Sequence, residues 1–122
     1  MAYLNDEALD QGLDWIIANG TRIDLCSTEP TTYAQATSTY SLAYKTGITV
    51  GATQNGDTSG RKVTIPAVTG GTVSTSGTAA YWALTDGSSV LVATGAMTSS
   101  KTMNSGDTWS SGAADIEYSD PA

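Results

Sequence analysis

The chain has no histidine and no phenylalanine, one cysteine, three prolines and only five lysine and arginine residues. Each shortage excludes something. Without histidine, a serine or cysteine nucleophile lacks the base that most often activates it, and zinc lacks one of its commonest ligands. A lone cysteine forbids an internal disulfide. The cations Arg22, Lys45, Arg61, Lys62 and Lys101 lie apart except for one adjacent pair. No basic patch is present to release counterions from phosphates, so nucleic acid is not an expected partner. No apolar run approaches the ~20 residues that a spanning helix needs. A net charge of −7 repels anionic lipid as well, so no membrane partner is expected. The opening "MAYLNDEALD" has neither the basic nor the apolar region of a secretory signal, which predicts a chain that stays in the cytosol where it is made.

What is abundant points one way. Thr, Ser and Gly make up roughly two-fifths of the 122 residues, and only 14% are charged. Thr favours pleated surfaces, Gly and Ser favour turns, and the length suits one domain with one core. Regularly spaced Val, Ile, Leu, Tyr and Trp argue against the disorder that such a polar composition otherwise allows.

One segment has helical periodicity. In "LNDEALDQGLDWIIANG", Leu4, Ala8, Leu9, Leu13, Ile16 and Ile17 fall on one stripe, with Asp6, Glu7, Asp10 and Asp14 elsewhere. Asn5 is placed to cap the first turn, and Gly20 to end the helix in a left-handed conformation. A helix this short is marginal alone, so its stripe must be covered, either by the chain's own sheet or by a partner or sister subunit.

After Gly20 the period becomes two. "TRIDLCS" alternates Ile23 and Leu25 with Arg22, Asp24 and Cys26, as a half-buried strand does. "TEPTTYAQATST" reads as a long surface connection, and "GATQNGDTSG" as a Gly-rich loop. Pro66 in "RKVTIPAVT" marks an edge strand or a strand end. "TDGSS" joins two strands of a hairpin, and Met103, Trp109 and Ile116 are further inward anchors. Tyr81 and Trp82, being adjacent, point to opposite faces. The expected fold is mainly β: an N-terminal helix over residues 1–20, then an antiparallel sandwich or barrel of about seven or eight short strands over 21–122, the whole a single globular unit.

The search for chemistry returns little. Cys26 reads as a structural residue filling space. "GATQNG" and "TGGTVSTSG" neither open a helix nor end in the Lys-Ser/Thr pair of a phosphate cradle, so they read as turns. Asn55 and Asp57 in "NGDTSG" only faintly echo a calcium loop. Asp24, Glu29, Asp86, Asp115 and Glu117 are the carboxylates that a glycosidase-like pair would have to come from, and they read as solvated faces. No cofactor, metal or catalytic residue is expected, and the chain is not expected to be an enzyme.

Two long strings carry more than composition. "TRIDLCSTEPTTYAQATSTYSLAYKTGITVG" and "GTAAYWALTDGSSVLVATGAMTSSKTMNSGDTW" resemble a family of small structural proteins of tailed bacteriophages. The likeness rests on Arg22, Ile23, Asp24 and Cys26, on Glu29, Pro30, Thr31, Thr32 and Tyr33, and on the run from Trp82 to Gly87. It implies virion membership, in a protein that looks like the capsid decoration or cement type, on the outside of a head assembled in the bacterial cytoplasm. The partners so implied are the major capsid protein and further copies of the chain, as a dimer or trimer. Leu4, Leu9, Leu13, Ile16 and Ile17 of the helix, and the segment 29–40 with Glu29, Pro30, Thr31, Thr32, Tyr33 and Tyr40, are the expected interface. The alternative is a tail or fibre module that binds a host receptor glycan through Trp and Tyr.

Overall fold

The computed structural model describes residues 6–57 and 60–118, the side chains of residues 6–10, 98, 114, 117 and 118 excepted. Leu4 and Asn5 therefore lie outside the described residues, and of Leu9 only the backbone is described. Helix α1 spans Asp6–Asn19. The strands are β1 (Arg22–Cys26), β2 (Ser41–Thr46), β3 (Gln54–Asn55), β4 (Arg61–Ile65), β5 (Val68–Val73), β6 (Gly77–Thr85), β7 (Leu91–Met103), β8 (Thr108–Ser111) and β9 (Ala114–Tyr118). They form a six-stranded sheet in the order β7-β6-β1-β2-β5-β8 and a three-stranded sheet in the order β3-β4-β9. All their pairings are antiparallel. The large sheet stays open between β7 and β8, so the architecture is a sandwich and not a closed barrel.

Alternation along β1 divides the molecule into two layers of packing. Ile23 and Leu25 point inward, with Leu84 of β6, Val63 and Ile65 of β4, and Leu13 and Ile16 of α1. Cys26 points to the opposite, outer face, where it packs with Ala83 of β6 and with Ala36 from the connection between β1 and β2. The described part of the helical stripe is thus covered by the chain itself: Leu13 is fully buried, Ile16 is nearly so, and Ile17 packs partly against the same core. Burial of each such side chain stabilises the fold by about 1.5–3 kcal/mol.

Gly20 ends α1, with its N–H bonded to the carbonyl of Ile16 at 2.7 Å, yet not in the left-handed conformation the sequence suggests. The glycine is needed for a different reason, since a Cβ there would stand 2.7 Å from Leu84 Cδ2. β3, two residues long, comes from the stretch that reads as a Gly-rich loop, and Pro66 directly follows the end of β4. The "TDGSS" turn is as expected. Asp86 Oδ1 accepts the N–H groups of Ser88, Ser89 and Val90 at 2.8–3.0 Å, which holds its carboxyl below the usual carboxylate range. Met103 and Trp109 are buried, and Ile116 packs against the core.

Candidate functional site

Three surface features have the composition of sites: the connection over the outer face, the outer side of α1, and a cleft at the open side of the large sheet.

The connection between β1 and β2 is not a loose loop. Thr32 Oγ1 accepts from the N–H of Gln35 at 3.1 Å, while Gln35 Oε1 accepts from the N–H and hydroxyl of Thr31 at 2.8 and 3.0 Å. That exchange closely resembles a capping box, and the Thr-x-x-Gln spacing was the signal for a helical start here. A π-helical turn follows over Gln35–Thr39, its last bond running from the N–H of Tyr40 to the carbonyl of Gln35. Ala36 and Pro30 are buried beneath this crest, Tyr33 and Tyr40 are half-buried, and Glu29, Thr31 and Thr32 are exposed. Glu29 Oε1 accepts from Thr94 Oγ1 at 3.4 Å, linking the crest to β7.

A buried ion pair anchors the adjoining sheet face. Arg22 donates through Nε to Asp24 Oδ1 at 2.8 Å and through Nη2 to Oδ2 at 3.0 Å. Ser41 Oγ donates to the same Oδ2 at 2.6 Å. The guanidinium also lies 4.8 Å from the centre of the Tyr44 ring, and Tyr44 is the register partner of Asp24 on β2. Asp24 is fully buried, against the expectation of a solvated acidic face. A carboxylate is tolerated there because a bidentate fork and a hydroxyl occupy its lone pairs. The hydrogen bond to Asp24 is the main reason the Arg22 pKa is raised further. Beside this pair, Cys26 is buried and donates to the carbonyl of Ala36 at 3.5 Å. Burial, and secondarily the charge of Asp24, push its thiol up to about 12, so it is protonated and inert at neutral pH.

On α1 the outward residue is Trp15, half-exposed, one position before the buried Ile16. Sequence reading put the interface on the apolar stripe. That stripe, as far as its side chains are described, faces the chain's own core, which leaves Trp15 as the large apolar group turned to solvent.

The cleft has a volume of about 540 Å³, within the usual range of ligand pockets. Ile23, Leu25, Ile65, Trp82 and Met97 supply its apolar lining, and Ser99, Ser100, Ser110 and Ser111 its hydroxyls. A register shift creates it. Ala79 pairs with Lys101 and Tyr81 with Ala96, so β7 takes five steps where β6 takes two, and residues 97–100 bulge away. Lys101 Nζ reaches across to the carbonyl of Ser110 on β8 at 3.3 Å.

Of the other carboxylates singled out in the sequence, Asp86 and Asp115 are each engaged within the fold. Asp86 holds its own turn. Asp115 accepts from Thr64 Oγ1 at 2.8 Å and from Lys62 Nζ at 3.1 Å, and these contacts lower its pKa. Lys62 is shared with Asp57 at 2.6 Å. Among the described residues no group of three or more Cys, Asp or Glu is placed to hold a metal ion, and no helix is long and apolar enough to cross a membrane. No family model, no curated protein and no solved structure matches the chain.

Proposed function

We propose that the protein is a capsid decoration protein of a tailed bacteriophage, binding the outer head shell and bridging neighbouring major capsid protein subunits. The observation that carries this reading is the placement of two outward surfaces on opposite sides of one sheet. The crest with Glu29, Thr31 and Thr32 rides on the outer face, over Cys26 and Ala83, while α1, with Trp15 outward, packs on the inner side, where its Leu13 and Ile16 join the core that Leu25 and Val63 share. A bridge needs two contact surfaces separated by a stiff element, and here the element is a six-stranded sheet.

The resemblance of the two strings that contain Cys26 and Trp82 supports the same reading. So does the way the reactive side chains are engaged: Asp24, Asp86 and Asp115 hold the fold, and Cys26 is sealed beneath the crest. Repetition on a lattice turns contacts of modest strength into durable attachment, because release of one copy's contact leaves its other contact in place. With a net charge of −7, the chain fits a shell surface that is neutral or basic where it is met.

The test is co-sedimentation of the purified protein with undecorated capsids, followed by cryo-electron microscopy of the pellet. Saturable binding, with density at capsomer junctions touching the crest and α1, is the expected result. Absence from heads and presence on tails would overturn it. That outcome favours the receptor-binding alternative, for which Trp82 of the cleft is the candidate to stack on a sugar and the serine hydroxyls are the candidates to hydrogen-bond it.

A further inference from the structure

Three places in the chain set an amide or acid side chain directly before glycine: Asn19-Gly20, Asn55-Gly56 and Asp86-Gly87. Such pairs share a reactivity. Glycine has no Cβ to crowd its backbone nitrogen, so that nitrogen can close on the side-chain carbonyl of the residue before it. The fold treats the three pairs differently.

Gly20 is buried at the end of α1, its N–H held by the Ile16 carbonyl at 2.7 Å, while the Asn19 amide donates to the carbonyl of Trp15 at 2.8 Å. Ring closure there requires unwinding the last turn of a helix whose Leu13 and Ile16 are core residues. Asp86 is protected by its charge. Its Oδ1 accepts three backbone N–H groups, which keeps the carboxyl ionised, and a carboxylate is a poor target for a nitrogen nucleophile.

Asn55 and Gly56 lack both protections. β3 is Gln54–Asn55, an edge strand of two residues paired with β4. Asn55 is exposed and Gly56 only half-buried. The Gly56 N–H is tied to the Gly60 carbonyl at 2.9 Å, so the nitrogen is released by parting a short, exposed hairpin end, a local opening of low cost. Arg61 donates through Nη1 to Asn55 Oδ1 at 2.8 Å. That bond draws electrons from the carbonyl carbon under attack and favours negative charge on its oxygen.

We propose that Asn55 is a site of spontaneous modification, converted in the folded protein to aspartate and isoaspartate through a cyclic succinimide with Gly56. Hydroxide removes the Gly56 amide proton, and the nitrogen lone pair forms a bond to Asn55 Cγ. The bond from Cγ to the side-chain nitrogen then breaks, and ammonia leaves carrying a proton from water. Water next adds to the ring: cleavage at Cγ gives aspartate, and cleavage at the main-chain carbonyl gives isoaspartate. Water is consumed, ammonia is released, and nothing is oxidised. Each event makes the chain one charge more acidic than its present −7, and sets a new carboxylate beside Arg61. The isoaspartate form also carries an extra carbon in the main chain, which breaks the pairing of Asn55 with Arg61. The inference is independent of the virion reading, since it concerns the purified chain alone.

Ageing of the full chain in mildly alkaline buffer, followed by ion-exchange chromatography and peptide mapping by mass spectrometry, tests it. A more acidic species should accumulate, faster as pH rises, with the change mapped to Asn55. Modification at Asn55 should exceed that at Asn19 by roughly a hundredfold or more in the native protein, and the two should approach each other in urea, where the fold no longer separates them. Asn55→Gln should abolish the acidic species, because its longer side chain closes a less favourable ring, and Asn55→Asp should co-elute with the aspartate product. A chain whose Asn55 stays intact when native but reacts in urea overturns the proposal, because the hairpin then protects it. So does faster modification at Asn19, or at the exposed Asn104, which precedes Ser105.

Discussion

Trp82 covers Gly95, its register partner across the β6–β7 ladder, so closely that a Cβ at Gly95 would stand 2.5 Å from Trp82 Cε2. The same arrangement recurs where Trp109 of β8 covers its partner Gly71 of β5 and donates through Nε1 to the carbonyl of Tyr44 at 3.1 Å. In both, the bare backbone of a glycine makes room for an indole that closes the core near an edge of the large sheet.

Gly95→Ala should therefore destabilise the protein by about 1–3 kcal/mol, the usual cost of overpacking. Urea unfolding of the single variants and of Gly95→Ala combined with Trp82→Leu checks it. The combined loss should be clearly smaller than the sum of the two single losses, because both remove the same fit. Strict additivity would show that the indole does not depend on the glycine.

Removing one member of a buried ion pair leaves the other unmatched. Asp24→Ala should cost about 3 kcal/mol, the lower end of the range for such pairs, because the Arg22 side chain retains 20% exposure and can reach water. Ser41→Ala should cost about 1 kcal/mol, one hydrogen bond. Thermal or urea denaturation reads both. A loss for Asp24→Ala no greater than that for Ser41→Ala would mean that the fork contributes little.

Cys26 gives a pH signature. Its thiol is raised from 9.0 to about 12 in the folded chain, so the unfolded chain loses its proton first as pH rises. The stability it contributes is complete below pH 9 and declines between 9 and 12. Cys26→Ala should show a shallower loss of stability over that window than the parent, which isolates the contribution of the thiol. At pH 8 a disulfide reagent should label the native protein only at the rate of unfolding. Rapid labelling would place the thiol at the surface.

Two substitutions within one turn of α1 separate folding from contact. Leu13→Ala empties a fully buried position and should cost about 2–5 kcal/mol. Trp15→Glu changes a half-exposed residue and should leave the melting temperature unaltered while weakening attachment to capsids. Deleting the helix outright confuses the two effects, since its inner stripe belongs to the core. If Trp15→Glu decorates shells as the parent does, the crest alone makes the contact.

Local pattern made some of this legible. The 3.6-residue stripe located α1, strict alternation located β1, and Asp86-Gly87 located the hairpin between β6 and β7. What escaped depended on residues distant in the chain. Asp24 looks solvated in isolation, and only the Arg22 fork together with Ser41, 17 positions later, makes it a buried group. The crest escaped because polar, small residues imply a loop, although Thr32 and Gln35 carried a cap signal. The cleft depends on a register shift between β6 and β7, which neither strand reveals alone.

β1 lies at the centre of the large sheet, between β2 and β6. One flank closes within a short stretch of chain, but the other waits for Trp82 and its neighbours, some sixty residues further on. During synthesis the earliest strand must therefore remain half-paired while most of the protein is made. A topology of such distant pairings folds slowly, in milliseconds to seconds, as one late event. Stopped-flow refolding should show a single slow phase in which tryptophan fluorescence and β-sheet signal appear together, and speed of production in the cell would be governed by completion of the chain rather than by its beginning.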